Sequence, residues 1–321
     1  MNRFGMLVLA VLLALLSSAA IAQEFPAKPI RIIVPWPPGG IIDVVARIVG
    51  KELSASLGQP VVIENRPGAG GMIGAEVAAN AAPDGYSLMV TSSALGYYQN
   101  LYRSLPFDPV EGFVPIAPLA NASHLLIVHE SVRVKTTRDL IALAKANPGK
   151  LTYGFTGAAS PSNLAGELFK SIAGVDILGV PYKGSPEVLA DLLAGRISMY
   201  FSTIALTLPQ VKSGRIRMIA IGSRERSQLL PDLPTVSESG APGFESSLWI
   251  GAFAPAKTSN QIVEKLNAAI ANALKTKTVA DLYASNGLDS MTGSPREFGK
   301  FFKEDAIKWG KIIKAAGIQL N

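Results

Sequence analysis

The chain has 321 residues, 48% of them hydrophobic, with 30 Lys and Arg against 24 Asp and Glu for a formal charge of +6. That length allows two domains and a core able to stand without cross-links. The absence of cysteine excludes disulfides, thiolate metal sites, cysteine nucleophiles and a lipid-bearing cysteine. The positive charges are spread out apart from a modest cluster at Lys212, Arg215, Arg217, Arg224 and Arg226. No interleaved aromatics offer base stacking, so nucleic acid is not an expected partner.

Arg3, the apolar run Met6 to Leu16 and the small-x-small site Ala20-Ile21-Ala22 form a secretory signal, with a mature start at Gln23. The run is too short to span a bilayer and no later apolar stretch is long enough, so a protein free of the membrane is expected. Ile30–Val34 then reads as a strand ending in Pro35-Trp36-Pro37-Pro38-Gly39-Gly40. A helix follows with Ile42, Val45, Ala46, Val49 and Leu53 on one face and Asp43, Arg47 and Lys51 on the other. The first N–H groups of such a helix have no partner inside it and favour a carboxylate or phosphate. Trp36 is either a cleft wall or a packing residue. Asp43 suits the helix dipole and the loop backbone, or receives a ligand amine or a water.

Further β-branched runs occur at Val61–Ile63, Ser87–Val90, Leu125–Val128, Leu151–Phe155, Ile177–Val180, Ile197–Phe201 and Ile216–Ile221. Most are separated by helical patterns, which predicts parallel sheets with right-handed crossovers. The glycine loop Pro67 to Gly71 precedes a helix from Met72 to Ala81. It is neither a P-loop nor a dinucleotide fingerprint, because no Lys-Ser/Thr follows and Gly74 misses the third position by one. It reads as a tight turn into a helix. Pro106 to Pro118 reads as a loop, and Leu229 to Gly243 as a second transition before the extended run Trp249–Ala254. These two crossings divide the chain into a lobe of residues 23–123 plus 248–321 and an inserted lobe of 124–247, joined by two strands that permit closure. Near the end, Ser259 caps one helix and Ser294-Pro295-Arg296-Glu297 is a capping box for another, whose apolar stripe Phe298 to Ala316 stops at Gly317. These two terminal helices, with no strand between them, are read as covering the first lobe.

Four strand ends carry small, hydroxyl or glycine residues where an open α/β sheet holds a ligand: Pro37–Gly40, Thr91–Ser93, Thr156–Ser160 and Tyr182–Ser185. Ser160 and Ser185 also suit helix caps before proline. Two of these loops belong to each lobe, so they can face one another across a cleft. Catalysis and metal binding find no pattern: His124 and His129 lie in an apolar run and read as structural, no HExxH or GxSxG occurs, and the carboxylates are dispersed.

The run Lys28 to Gly40 with Asp43 and Ala46-Arg47 resembles the start of the Bug family of periplasmic solute receptors, also called tripartite tricarboxylate transporter receptors. So do Leu57-Gly58-Gln59, Val61 to Gly71, Pro83-Asp84-Gly85-Tyr86, Pro181-Tyr182-Lys183-Gly184, Leu230 to Thr235, Trp249, Ala254-Pro255 and Trp309-Gly310. The resemblance covers essentially the whole mature chain. It implies an α/β two-lobed type II periplasmic binding fold. It also implies a small carboxylate ligand, held by backbone N–H groups, hydroxyls and waters, and delivery to a membrane permease without chemistry or cofactor. First-lobe contacts would come from Trp36, Gly39, Gly40, Asp43, Ser92 and Ser93. Second-lobe contacts would come from Thr156, Ser160, Asn163, Tyr182, Lys183, Gly184, Ser202 and Thr203. Two departures from the family pattern stand out. Ala159-Ser160-Pro161-Ser162-Asn163 replaces a Gly-Ser-x-x-His arrangement, and Ser202 stands where Asp is frequent. A monomer in the periplasm is expected. A sensor protein in place of the permease, or an exported enzyme on the same architecture, are the rival readings.

Overall fold

The computed structural model describes residues 25–227 and 229–315. The signal segment, its mature start at Gln23, Ala316 and Gly317 lie outside them. The first units follow the expected alternation. Strand β1 is Ile30–Val34, helix α1 Ile41–Leu57, β2 Val61–Asn65, α2 Met72–Ala79, β3 Ser87–Ser92 and α3 Ala94–Leu101. A single 3-10 turn at Ala69–Gly71 leads into α2. Next come β4 (Phe113–His129), α4 (Thr137–Ala146), β5 (Thr152–Phe155), α5 (Pro161–Ala173), β6 (Leu178–Pro181), α6 (Ser185–Leu193), β7 (Met199–Thr203), α7 (Ile204–Val211) and β8 (Ile216–Ile221). The chain ends with β9 (Ser247–Pro255), α8 (Asn260–Leu274), α9 (Lys277–Ser285), β10 (Leu288–Ser290) and α10 (Pro295–Ala315).

The sheet is mixed, so the expectation of parallel sheets holds for the helically connected strands and needs a first correction at β4 and β9. Its order is β2-β1-β3-β9-β4-β7-β5-β6, with β8 and β10 also on β4. Strands joined through helical crossovers are parallel: β1 with β2 and β3, and β5 with β6 and β7. Every pairing made by β4 or β9 is antiparallel. A second correction concerns 106–118, where the loop gives way to strand at Phe113. Proline has no N–H for a ladder and is tolerated at bulges. Accordingly, the register of β4 on β9 shifts between Pro115 and Ala117 and again between Pro118 and Ala120. Beyond Ser123 the same strand changes partners, pairing β7 and β8 from His124 and Leu125 onward.

A third correction lies at the C-terminal end, which holds three helices and the short strand β10, paired with β4 at Ala120–Ala122. The capping box forms as the sequence predicts: Ser294 N–H donates to Glu297 Oε2 at 2.9 Å, and Glu297 N–H to Ser294 Oγ at 3.2 Å. From there α10 runs back over β9. Phe298 and Phe302 pack on Trp249 and Phe253 with ring centroids 5.2–5.7 Å apart. Trp249 Nε1–H donates to Asp305 Oδ2 at 2.8 Å, so the indole's one polar group is satisfied inside an apolar cluster.

Gly251 of β9 makes this packing possible, since a Cβ there would lie 2.2 Å from Phe298 Cζ. Overpacking a filled core costs about 1–3 kcal/mol. Gly251→Ala is therefore expected to lower the unfolding free energy by an amount in that range, read as a lower urea midpoint at an unchanged m-value.

Candidate functional site

The β1–α1 loop is fixed by a carboxylate. Asp43 Oδ2 accepts from Gly39 N–H at 3.0 Å and from Arg47 Nε at 3.0 Å, and its Oδ1 accepts from Asn65 Nδ2 at 2.9 Å. Asn65 Nδ2 also donates to the Trp36 carbonyl at 3.0 Å. Burial alone would raise the Asp43 pKa, but Arg47, the Gly39 N–H and Asn65 outweigh it and hold the carboxyl below its ordinary value. Gly39 adopts φ +81°, open to glycine at no steric cost. Asp43 is thus spent on its own loop and lies off the cavity described next.

That cavity, of about 50 Å³, sits at the carboxyl ends of β1, β3, β5, β6 and β7. Its volume admits roughly three to five water-sized groups at 10–15 Å³ each. Of the residues singled out from sequence, Trp36, Gly40, Ser92, Thr156, Gly184 and Thr203 line it. The others have different employment. Gly39 faces the start of α6, where an added Cβ would sit 3.9 Å from Pro186 Cγ. Ser93 N–H donates to the Trp249 carbonyl at 3.1 Å, off the lining. Ser160 caps α5 by accepting from Asn163 N–H at 3.2 Å, and Asn163 Nδ2 donates to the Ala158 carbonyl at 2.7 Å. Ser202 is buried in β7, its hydroxyl 3.4 Å from the Thr203 carbonyl. Tyr182 O–H donates to Asp191 at 2.8 Å, and Lys183 N–H to Glu187 at 3.1 Å. Those two line an outer chamber of about 680 Å³ that shares Trp36, Pro37 and Thr156 with the inner cavity.

The lining also includes residues read from sequence as core or left aside: Ile41, Ile42, His124, Ser162, Tyr200, Phe201 and Leu248. A buried apolar strand position looks the same in sequence whether it faces a core or a cavity wall. The one available signal was a histidine inside the apolar run that crosses between the halves of the sheet.

Four helices begin on this cavity. Gly40, Ile41 and Ile42 open α1; Pro161 and Ser162 open α5; Gly184 and Ser185 open α6; and Thr203 precedes α7. Bonding inside α1 starts only with Val44 N–H to the Gly40 carbonyl, and inside α6 with Val188 N–H to the Gly184 carbonyl. The N–H groups of Ile41, Ile42 and Ser185 therefore have no intrahelical partner at the lining. Each such terminus favours an anion by about 0.3–1 kcal/mol when exposed and up to about 2 when partly buried. No Lys, Arg, Asp or Glu lines the inner cavity. His124, whose Nδ1 lies 2.8 Å from Ser246 Oγ, is pushed down to about 4 by burial and so is neutral near pH 7. Two polar atoms on the lining residues, Trp36 Nε1 and Thr203 Oγ1, are buried with no hydrogen-bond partner. Buried polar groups are rarely left in that state, so both are available to a bound molecule.

Strand ends from both halves of a mixed sheet thus meet at one uncharged pocket, the arrangement of an α/β fold of two lobes with its site between them. The comparisons with known proteins narrow it. The model of the tripartite tricarboxylate transporter family receptor matches residues 45–318. The protein BugT of Bordetella pertussis is 35% identical over 302 residues, covering 94% of this chain and 93% of that one. The chain therefore belongs to the tripartite tricarboxylate transporter receptor family, the Bug proteins. Among solved structures, R. palustris Rpa4515 with adipate superposes with a TM-score of 0.89 at 33% identity, covering 92% of this chain and all of that one. MatC from Rhodopseudomonas palustris with bound malate gives a TM-score of 0.85 at 31% identity, over 90% of this chain and 100% of that one.

The buried neutral His124 makes stability pH-dependent. Its folded pKa lies below the unfolded value of about 6.5, so the unfolded state binds more protons between the two. The stabilisation is complete above pH 6.5 and is lost as pH falls toward 4. Melting temperature followed from pH 7 to pH 4 should fall more steeply for the parent than for His124→Asn. Parallel curves would show that His124 does not set this dependence.

Proposed function

We propose that the protein is an exported periplasmic receptor that closes on a small carboxylate and presents it to a tripartite tricarboxylate-type permease. In this reading residues 23–123 with 248–321 form one lobe and 124–247 the other, and the β4 and β9 crossings at Ser123–His124 and Ser247–Leu248 are the hinge. The observation that carries it is the convergence of four helix starts on one cavity without a charged side chain. Such a site selects negative charge through fixed backbone dipoles. Its small volume suits a carboxylate head, with the rest of a longer acid running past Trp36 and Thr156 into the outer chamber. That relatives of similar fold were solved with adipate and with malate supports the same ligand class. A receptor without catalysis fits the chemistry of the lining. His124 is a poor base at a pKa of about 4, and no carboxylate stands beside it. Among the described residues no helix is long and apolar enough to cross a membrane.

Calorimetry over a panel that includes adipate, malate and shorter monocarboxylates tests this, with saturable binding expected for at least one acid. At a concentration of 100 Kd that acid should add about 2.7 kcal/mol of apparent stability. Gly40→Val should keep the fold, because φ −76° is open to any residue and an added Cβ comes no nearer than 3.7 Å to the Pro37 carbonyl. It should also remove binding, since its side chain enters the space at the start of α1. A folded variant with parental affinity, or a panel without a binder, would overturn the proposal.

A further inference from the structure

The loop between β2 and α2 does not line the inner cavity, yet its backbone is unusual. Gly68, Ala69, Gly70 and Gly71 all have positive φ, at 136°, 48°, 65° and 97°. Alanine rarely adopts this region, so the surroundings hold the turn in place. One restraint is Tyr98, whose O–H donates to the Gly70 carbonyl at 2.9 Å. Across the cleft, the loop after β5 carries Gly157 at φ +105°. That loop has its own restraint in the Asn163 amide on the Ala158 carbonyl at 2.7 Å. Asn163 in turn accepts from Tyr153 O–H at 2.7 Å.

The two loops meet backbone to backbone. A Cβ added at Gly157 would lie 2.7 Å from Gly70 Cα, closer than real side chains come, and a tight 3.2 Å from Gly70 N. One residue further on, a Cβ at Gly71 would lie 3.1 Å from Trp36 Cζ2, on the indole that lines the solute cavity. We propose that the Gly70–Gly157 contact latches the closed form, with Tyr98 and Asn163 as positioning residues that present the two halves of the latch. Because the contact involves main chain outside the inner cavity, it acts equally on every solute and leaves selectivity to the lining. This inference rests on the two-lobe closure proposed above, and not on the identity of the solute.

The absence of cysteine allows a direct test. Ala55→Cys on α1 and Ser171→Cys on α5, both exposed, would carry spin labels for pulsed dipolar distance measurement on the solute-free protein. The labelled parent should show a population at the separation seen in this structure. Gly157→Ala should shift the open-to-closed ratio roughly tenfold, equivalent to about 1.4 kcal/mol, and Asn163→Ala should shift it in the same direction. Gly174→Ala is the control for backbone strain alone, with φ +61° and no atom within 4 Å of an added Cβ; its distances should match the parent's. The latch is overturned if the parent already populates only longer distances. It is equally overturned if folded Gly157→Ala and Asn163→Ala keep the parental distribution. No solute enters the measurement, so its failure is separate from a failure of the acid panel.

Discussion

The first peptide N–H groups of a helix cannot be satisfied within it, and this protein gathers four such beginnings around one uncharged cavity. That constraint orders the rest of the structure. Without a lysine or arginine at the lining, what the cavity presents to a negative group is main-chain dipoles with a few hydroxyls and the Trp36 indole N–H. The supporting side chains are accordingly occupied with loops. Asp43 fixes the turn before α1, Ser160 and Asn163 fix the turn before α5, and Glu187 accepts from the backbone before α6. A flexible cation would give the same attraction with less geometric demand. Fixed amides instead distinguish where the negative charge sits.

Much of the fold was legible because its signals are local. β1 and β8 have the bounds that their β-branched runs suggest, and Ser294 with Glu297 forms the box that the spacing indicates. What was misread depends on distant partners. Phe113–Pro118 carries prolines and looks like loop, yet it pairs with β9 across more than a hundred residues of intervening chain and places the prolines at bulges. The short β10 has no pattern of its own and exists because β4 offers it an edge.

The site shows the same division. Strand-end loops with glycine and hydroxyl residues were readable, because a turn into a helix has a known chemistry. Asp43 and Asn163 are polar residues next to such turns, and only the folded structure separates a residue that lines the cavity from one that holds the loop. Tyr200, Phe201 and Leu248 belong to apolar strand runs whose burial is the same on a cavity wall as in a core. The indole nitrogen of Trp36 and the hydroxyl of Thr203 become informative only once they are seen buried without partners.

The 17-residue strand β4 has a consequence for the order in which the chain can fold. Its neighbours β7, β8, β9 and β10 all lie later in the sequence, the last ending at Ser290. Closing such long-range pairings is slow, and of these partners only β7 is complete before the C-terminal third is synthesised. A nascent chain of this topology stays without its central strand pairings through most of translation. The architecture becomes self-locking only after the last strands arrive.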